Sequence, residues 1–223
     1  MSADRTDPAS ADPDGPGSAD NPDRTRRAAA TRLRILQAAY DCVARWGFSK
    51  TTIEDAARAA QVSRATLYRA FPGGRDELLA AVVAWENARF FGRLYAEVRD
   101  AATLEEVLEL GLVFAHRGIR DHEVLQRVLE TEPELLLGKL TVEAAGTQKM
   151  VAAFLAPYLA RAPLAPGVDA SEAADFLARM ALSYISAPGR WDLTDRAQVA
   201  RLVRGELLGG ILLPATRPAA RSG

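Results

Sequence analysis

From Thr25 onward the apolar residues Leu33, Leu36, Tyr40 and Val43 recur at intervals of three and four. That is the period of a helix burying one face. Gly47 follows at the position favoured for a left-handed C-terminal cap. Residues 51 to 71, TTIEDAARAAQVSRATLYRAF, then spell two short helices joined by a tight turn, and Pro72-Gly73-Gly74 breaks the chain. A long helix is predicted from about Arg75 to Arg99, with Leu78, Leu79, Val82, Val83, Phe90, Leu94 and Val98 as its apolar stripe. Further helices are predicted at about 103–119, 121–131, 134–161, 171–187 and 195–213. Nowhere do period-two alternation and β-branched clusters coincide, so no sheet is expected. The pattern defines an all-α chain: a three-helix N-terminal domain with a helix-turn-helix over residues 25–74, then a larger helical domain over 75–214. An acidic tail over 1–24 and a C-terminal tail over 215–223 flank them.

The two short helices carry the chemistry. In a helix-turn-helix the first helix crosses the second steeply, which requires a small side chain at the crossing and apolar inner faces. Ala57 suits the crossing, while Ala56, Ala60, Val62, Leu67 and Ala70 suit the inner faces. Thr51 or Thr52 can cap the first helix, with Glu54 or Asp55 completing a capping box, and Ser63 can cap the second. The outer side of the second helix presents Arg64, Thr66, Tyr68 and Arg69. An ordinary αα-hairpin within a core has no need of two arginines, a threonine and a tyrosine there, so these residues point to DNA.

Charge supports that assignment, although the formal net charge is only −1. Residues 1–23 sum to −5, residues 24–75 to +8 and residues 76–223 to −4. Neutralising phosphates requires positive charge concentrated where the duplex lies, and only the middle segment has it. The single cysteine, Cys42, falls in line with Ile35, Ala39 and Trp46 and is expected in the core; it cannot form an internal disulfide. The acidic N-terminus predicts no signal peptide. The longest apolar run, Leu78–Trp85, falls short of the roughly 20 residues that cross a bilayer, so no membrane association and a cytoplasmic, nucleoid-associated location are expected. His116 and His122 are six apart, on separate sides of a helix, and no zinc spacing, P-loop or nucleophile elbow occurs. The expectation is therefore no enzyme, no metal and no cofactor.

The stretch ILQAAYDCVARWGFSKTTIEDAARAAQVSRATLYRAF resembles the N-terminal pattern of the TetR family of bacterial transcription regulators, including Gly47-Phe48, the paired threonines, Val62-Ser63 and Leu67-Tyr68. Two positions depart from it. The family usually has glycine in the turn where this chain has Gln61, and a non-glycine residue in the left-handed conformation costs on the order of 1 kcal/mol. The family's basic residue three after the phenylalanine is here Arg75, four after Phe71 because of the second glycine. The resemblance implies a homodimer on a palindromic operator, usually repressing transcription, with a ligand in the C-terminal lobe lowering DNA affinity.

On this reading the DNA-binding residues are Arg64, Ala65, Thr66, Tyr68 and Arg69 of the recognition helix, with Lys50, Thr51, Thr52 and Arg75 at phosphates. Arg24, Arg26 and Arg27 offer a basic arm. The ligand, a largely apolar small molecule, is expected among Phe90, Phe91, Tyr95, Phe114, His116, Met150, Phe154 and Tyr158. Dimerisation is expected on the last two helices, through Ala173, Phe176, Leu177, Met180 and Tyr184 on one and Val199, Leu202, Val203, Leu207 and Ile211 on the other. The helix from Arg75 is expected to carry ligand binding to the DNA-reading helix, with Gly92 at its middle. The competing expectation is a DNA-binding dimer without an effector, its C-terminal lobe serving only dimerisation or a protein partner.

Overall fold

The computed structural model describes residues 22–213, with side chains described except at residues 129 and 133–144. The two tails expected from composition lie largely outside the described residues. Nine α-helices follow in order among them: α1 (Pro22–Trp46), α2 (Ile53–Ala59), α3 (Arg64–Ala70), α4 (Gly74–Val98), α5 (Leu104–Arg120), α6 (Glu123–Thr131), α7 (Pro133–Leu159), α8 (Ala170–Ser186) and α9 (Arg196–Leu202). A π-helical turn at Val203–Leu207 extends α9. The all-helical class predicted by the periodicity is what folds. The final helix nevertheless stops well before residue 213. Gly210 takes φ +80°, and the segment beyond it turns back so that Leu213 N–H donates to Pro163 O (2.9 Å) and Ala165 N–H to Ile211 O (2.8 Å).

Local signals fix the helix starts. Thr52 caps α2 by accepting from Asp55 N–H (3.1 Å), and Ser63 caps α3 by accepting from Thr66 N–H (3.1 Å), each satisfying a donor that the helix cannot. In the turn between them Gln61 adopts φ +54°, the left-handed conformation for which glycine is the unstrained choice. Gly74 takes φ +67° as α4 begins, which accounts for the second glycine: the chain reverses there without a side chain in the way.

Two cores result, and α4 belongs to both. Ile35, Leu36, Ala39, Ala56, Ala57, Leu67 and Phe71 close around Leu78 and Val82 of α4. The far end of the same helix puts Leu94 and Val98 into a core with α5, α7, α8 and α9. Between them, Val43 of α1, Leu79 of α4 and Val128 of α6 form a small cluster with Phe48 and Val124. The α6 helix is therefore packed directly against the N-terminal domain. Cys42 is buried as expected, and burial raises its thiol pKa.

The expected dimer stripe requires correction. Leu177, Val199, Leu202, Val203 and Leu207 are wholly inaccessible within a single chain, and Ile211 nearly so. They form the chain's own core, because α9 and its π-turn pack on α5. A buried stripe shows that something covers it but not whether the cover is the same chain. Of the proposed interface, Phe176 remains 45% exposed, with Met180 and Tyr184 partly so. The Tyr184 hydroxyl donates to Glu206, whose other oxygen accepts from Arg190 (2.7 Å).

Candidate DNA-binding face and ligand cavity

The α3 helix is held against α1 and α2 by Leu67, which is fully buried. Its opposite side therefore faces outward: Arg64, Ala65, Tyr68 and Arg69 are exposed, as are Lys50 and Thr52 in the approach to α2. Thr66 is partly exposed, with its hydroxyl 2.9 Å from Ser63 Oγ and 3.4 Å from Arg69 Nη2. Arg64 pairs with Glu54 across the turn. The pair is open to solvent, where such interactions are worth little, so Arg64 can exchange Glu54 for a base edge or phosphate at small cost.

Two of the residues assigned to phosphates are otherwise engaged. Thr51 is buried, and its hydroxyl donates to Gly47 O (2.7 Å). Arg75 turns back from α4 into the loop between α1 and α2, where Nε donates to Thr51 O (2.8 Å) and Nη2 to the carbonyls of Phe48 and Ser49. Both brace the loop from behind. The extra glycine is the reason for Arg75, since it sets the side chain one position further round the helix. A second brace comes from the junction of α6 and α7. The Glu132 carboxylate accepts from Ser49 N–H (3.2 Å to each oxygen) and from its hydroxyl (3.2 Å). Gly47, at φ +84°, lies so close to this carboxylate that a Cβ would collide with it. Among the other basic residues of the positive segment, Arg32 donates to Ala70 O and lies 4.0 Å from the centre of the Phe71 ring.

Behind this face lies a cavity of about 1050 Å³, at the upper end of the range of small-molecule sites. Its walls are mainly apolar and come from α4, α5, α6, α7 and α8, with Tyr40 of α1 and Phe48 and Ser49 of the α1–α2 loop closing one end. Of the expected ligand residues, Phe90, Phe91 and Phe154 line it. The aromatic run continues from Phe91 to Phe154 (6.2 Å between centroids) and on to Tyr158 (5.7 Å). Five expectations fail, Tyr158 among them, since it packs on Phe154 without lining the cavity. Tyr95 is 62% exposed and Met150 lies on the outer face of α7. Phe114 packs behind Phe90 at 5.4 Å. His116 points away from the cavity, near Asp192. Among the residues missed are four polar ones, Tyr40, Glu86, Asn87 and His122, which all line the cavity. His122 had a local signal, since it stands immediately before α6 and caps it through Nδ1, which accepts from Leu125 N–H (3.0 Å).

A small helix-turn-helix with an exposed basic and hydroxylic face, set on a helical body that encloses an apolar cavity, defines a DNA-binding regulator rather than an enzyme. Residues 35–82 match the model of the bacterial regulatory proteins of the TetR family. An uncharacterized HTH-type transcriptional regulator of Mycobacterium tuberculosis is 28% identical over 198 residues, spanning 89% of this chain and 93% of the relative. The TetR family repressor AlkX from Dietzia, implicated in biodegradation of n-alkanes, superposes with a TM-score of 0.55 at 27% identity, over 80% of this chain and 96% of that one. A TetR-family regulator from Pectobacterium atrosepticum shares the fold with a TM-score of 0.61 at 22% identity, over 85% of this chain and 98% of that one. Residues 35–82 thus carry the TetR-family DNA-binding pattern, and the chain is a DNA-binding transcriptional regulator.

Proposed function

We propose that the chain is a ligand-released repressor that binds a palindromic operator as a homodimer, with α3 of each subunit in the major groove. A helix of seven residues reads only a few base pairs, so two copies related by a two-fold axis reach useful specificity where one does not. Arg64, Thr66 and Arg69 face the base edges, and Lys50, Thr52 and Tyr68 meet phosphates. The dimer forms through the outward face of α8 around Phe176 and Met180, since the apolar stripe of α9 is consumed internally.

The observation that carries the ligand part is the cavity. A lobe serving only dimerisation has no use for about 1050 Å³ of apolar space, because empty volume in a core costs stability. Occupation of that space acts on two elements that reach the DNA-binding domain. One is α4, shared by both cores. The other is α6, which packs on Val43 and ends at the Glu132 brace. The similarity to a repressor implicated in n-alkane biodegradation supports an apolar effector.

The test is operator affinity, measured by fluorescence anisotropy against a panel of apolar small molecules. Linkage requires that a releasing compound bind the free protein more tightly than the operator complex by the same factor, typically 5- to 150-fold. Phe91→Trp, which narrows the cavity where Phe91 meets Phe154, is expected to weaken release while leaving operator affinity intact. A compound that releases the parent and this variant equally would place the effector elsewhere.

A further inference from the structure

The cavity is not uniformly apolar, and one group of its polar side chains sits where it meets α1. Tyr40 lies there with its ring edge-on to Trp85 (5.9 Å between centroids) and to His122 (6.4 Å). Its hydroxyl makes no hydrogen bond with the described residues, and burial, followed by the nearby Glu86 carboxylate, raises its pKa, so it is an O–H donor at neutral pH. His122 spends Nδ1 on the cap of α6, which leaves its ring proton on Nε2. That nitrogen lies 3.6 Å from Glu86 Oε1, beyond a hydrogen bond. Glu86 completes the group: it is mostly buried, and its two oxygens accept from Arg89 (2.9 Å) and Arg93 (3.2 Å).

These atoms constrain what can lie among them. Two donors, Tyr40 O–H and His122 Nε2–H, face an acceptor carboxylate whose oxygens are already engaged by two arginines. An oxygen that both accepts and donates satisfies all three. An ionised carboxylate has no proton to donate to Glu86 and sets its own oxygens directly against that acceptor, while an ammonium would crowd a third cation around it and leave both donors unmet. Most of the remaining wall, along Val83, Phe90, Phe91, Leu108, Phe154 and Leu155, is apolar, with Asn87, Thr147 and Ser186 as isolated polar side chains and Ser49, Arg75 and Asp76 at the end nearest the α1–α2 loop.

We infer that Tyr40, His122 and Glu86 form a head-group subsite for the uncharged hydroxyl of an otherwise apolar effector. The inference rests on the cavity being the effector site. It places the ligand's polar end against α1, so the ligand touches the DNA-binding domain itself as well as the helices that lead to it. A hydroxyl there would draw Tyr40 and His122 toward one another, and with them α1 and the start of α6.

The probes are a neutral fluorescent arene, N-phenyl-1-naphthylamine, which reports on the apolar cavity, and three ten-carbon compounds that compete with it: 1-decanol, decanoate and decyltrimethylammonium. The arene should bind the parent and be displaced most tightly by 1-decanol. Tyr40→Phe keeps the ring contacts, and His122→Asn keeps a side chain that caps helices. Each should weaken 1-decanol about three- to tenfold, the scale of one hydrogen bond, and change arene affinity by less than that. If the arene binds but all three head groups compete alike, or either ion competes best, the subsite is wrong and the cavity assignment stands. The subsite is equally wrong if both variants bind 1-decanol like the parent. If the arene does not bind at all, the cavity assignment fails and the subsite fails with it.

Discussion

Arg75→Ala separates a brace from a DNA contact at the position where the chain departs from the TetR-family spacing. The guanidinium donates to the carbonyls of Phe48, Ser49 and Thr51. A hydrogen bond from a charged donor contributes about 1.5–3 kcal/mol when solvent is excluded. The Arg75 side chain is 39% exposed, and water can reach the loop carbonyls it would leave, so the three together should contribute only about 1–2 kcal/mol. For a chain of this size that corresponds to a fall in melting temperature of about 2–8 °C. Its exposed ion pair with Asp76 (3.5 Å) adds little. Because the loosened loop carries Lys50 and Thr52, affinity should fall similarly for every DNA sequence. The number of phosphates neutralised should not change, so the slope of log affinity against log salt stays that of the parent. The assay pairs thermal denaturation by circular dichroism with operator titrations across a series of salt concentrations. A slope reduced by about one unit with an unchanged melting temperature is the signature of a lost phosphate contact, and it would refute the brace.

Three other sets of substitutions probe separate parts of the molecule. Arg64→Ala should cost about 1–3 kcal/mol of operator binding and relax preference at one base pair per half-site; a variant that ranks a library of operator mutants like the parent would remove Arg64 from base readout. Leu202→Ala should destabilise the protein by about 2–5 kcal/mol equally at all protein concentrations, whereas Phe176→Glu should shift sedimentation toward the monomer; a melting temperature of Leu202→Ala that recovers as concentration rises would return that residue to the interface. The Glu206 carboxyl is held below its ordinary pKa first by the Tyr184 hydroxyl and then by Arg190, so its contribution is present at neutral pH and is lost as pH falls below about 4.3, the unfolded value, through the lower folded one. Tyr184→Phe should therefore weaken the decline in melting temperature between neutral pH and that acid range; parallel pH profiles for parent and variant would show that the hydrogen bond contributes nothing.

What the sequence discloses follows the range of the interaction. Thr52 and Ser63 act on donors three residues away, so their roles can be inferred from spacing alone, and the strained Gln61 is visible because only one residue stands where the turn needs a positive φ. The exposed face of α3 is legible for the same reason, its inward residues being marked by Leu67. The last helix misleads because periodicity shows that Leu202 and Leu207 are covered without showing by what. Tyr95 and Met150 share the helical spacing of residues that do line the cavity, and only the rotation of α4 and α7 in the fold puts them outside. Tyr40 and Glu132 carry no local signature of their roles, since each acts on a partner more than eighty residues away along the chain.

Selection of bound sequences from random duplex DNA, using the full chain, tests the central claim that two copies of α3 read a symmetric operator. The expected result is an enriched palindrome whose half-sites lie about one helical turn apart, roughly 34 Å, or a multiple of it, and whose enrichment is lost with Arg64→Ala and Arg69→Ala combined. An enriched motif without two-fold symmetry, or no enrichment above the starting pool, would contradict that claim.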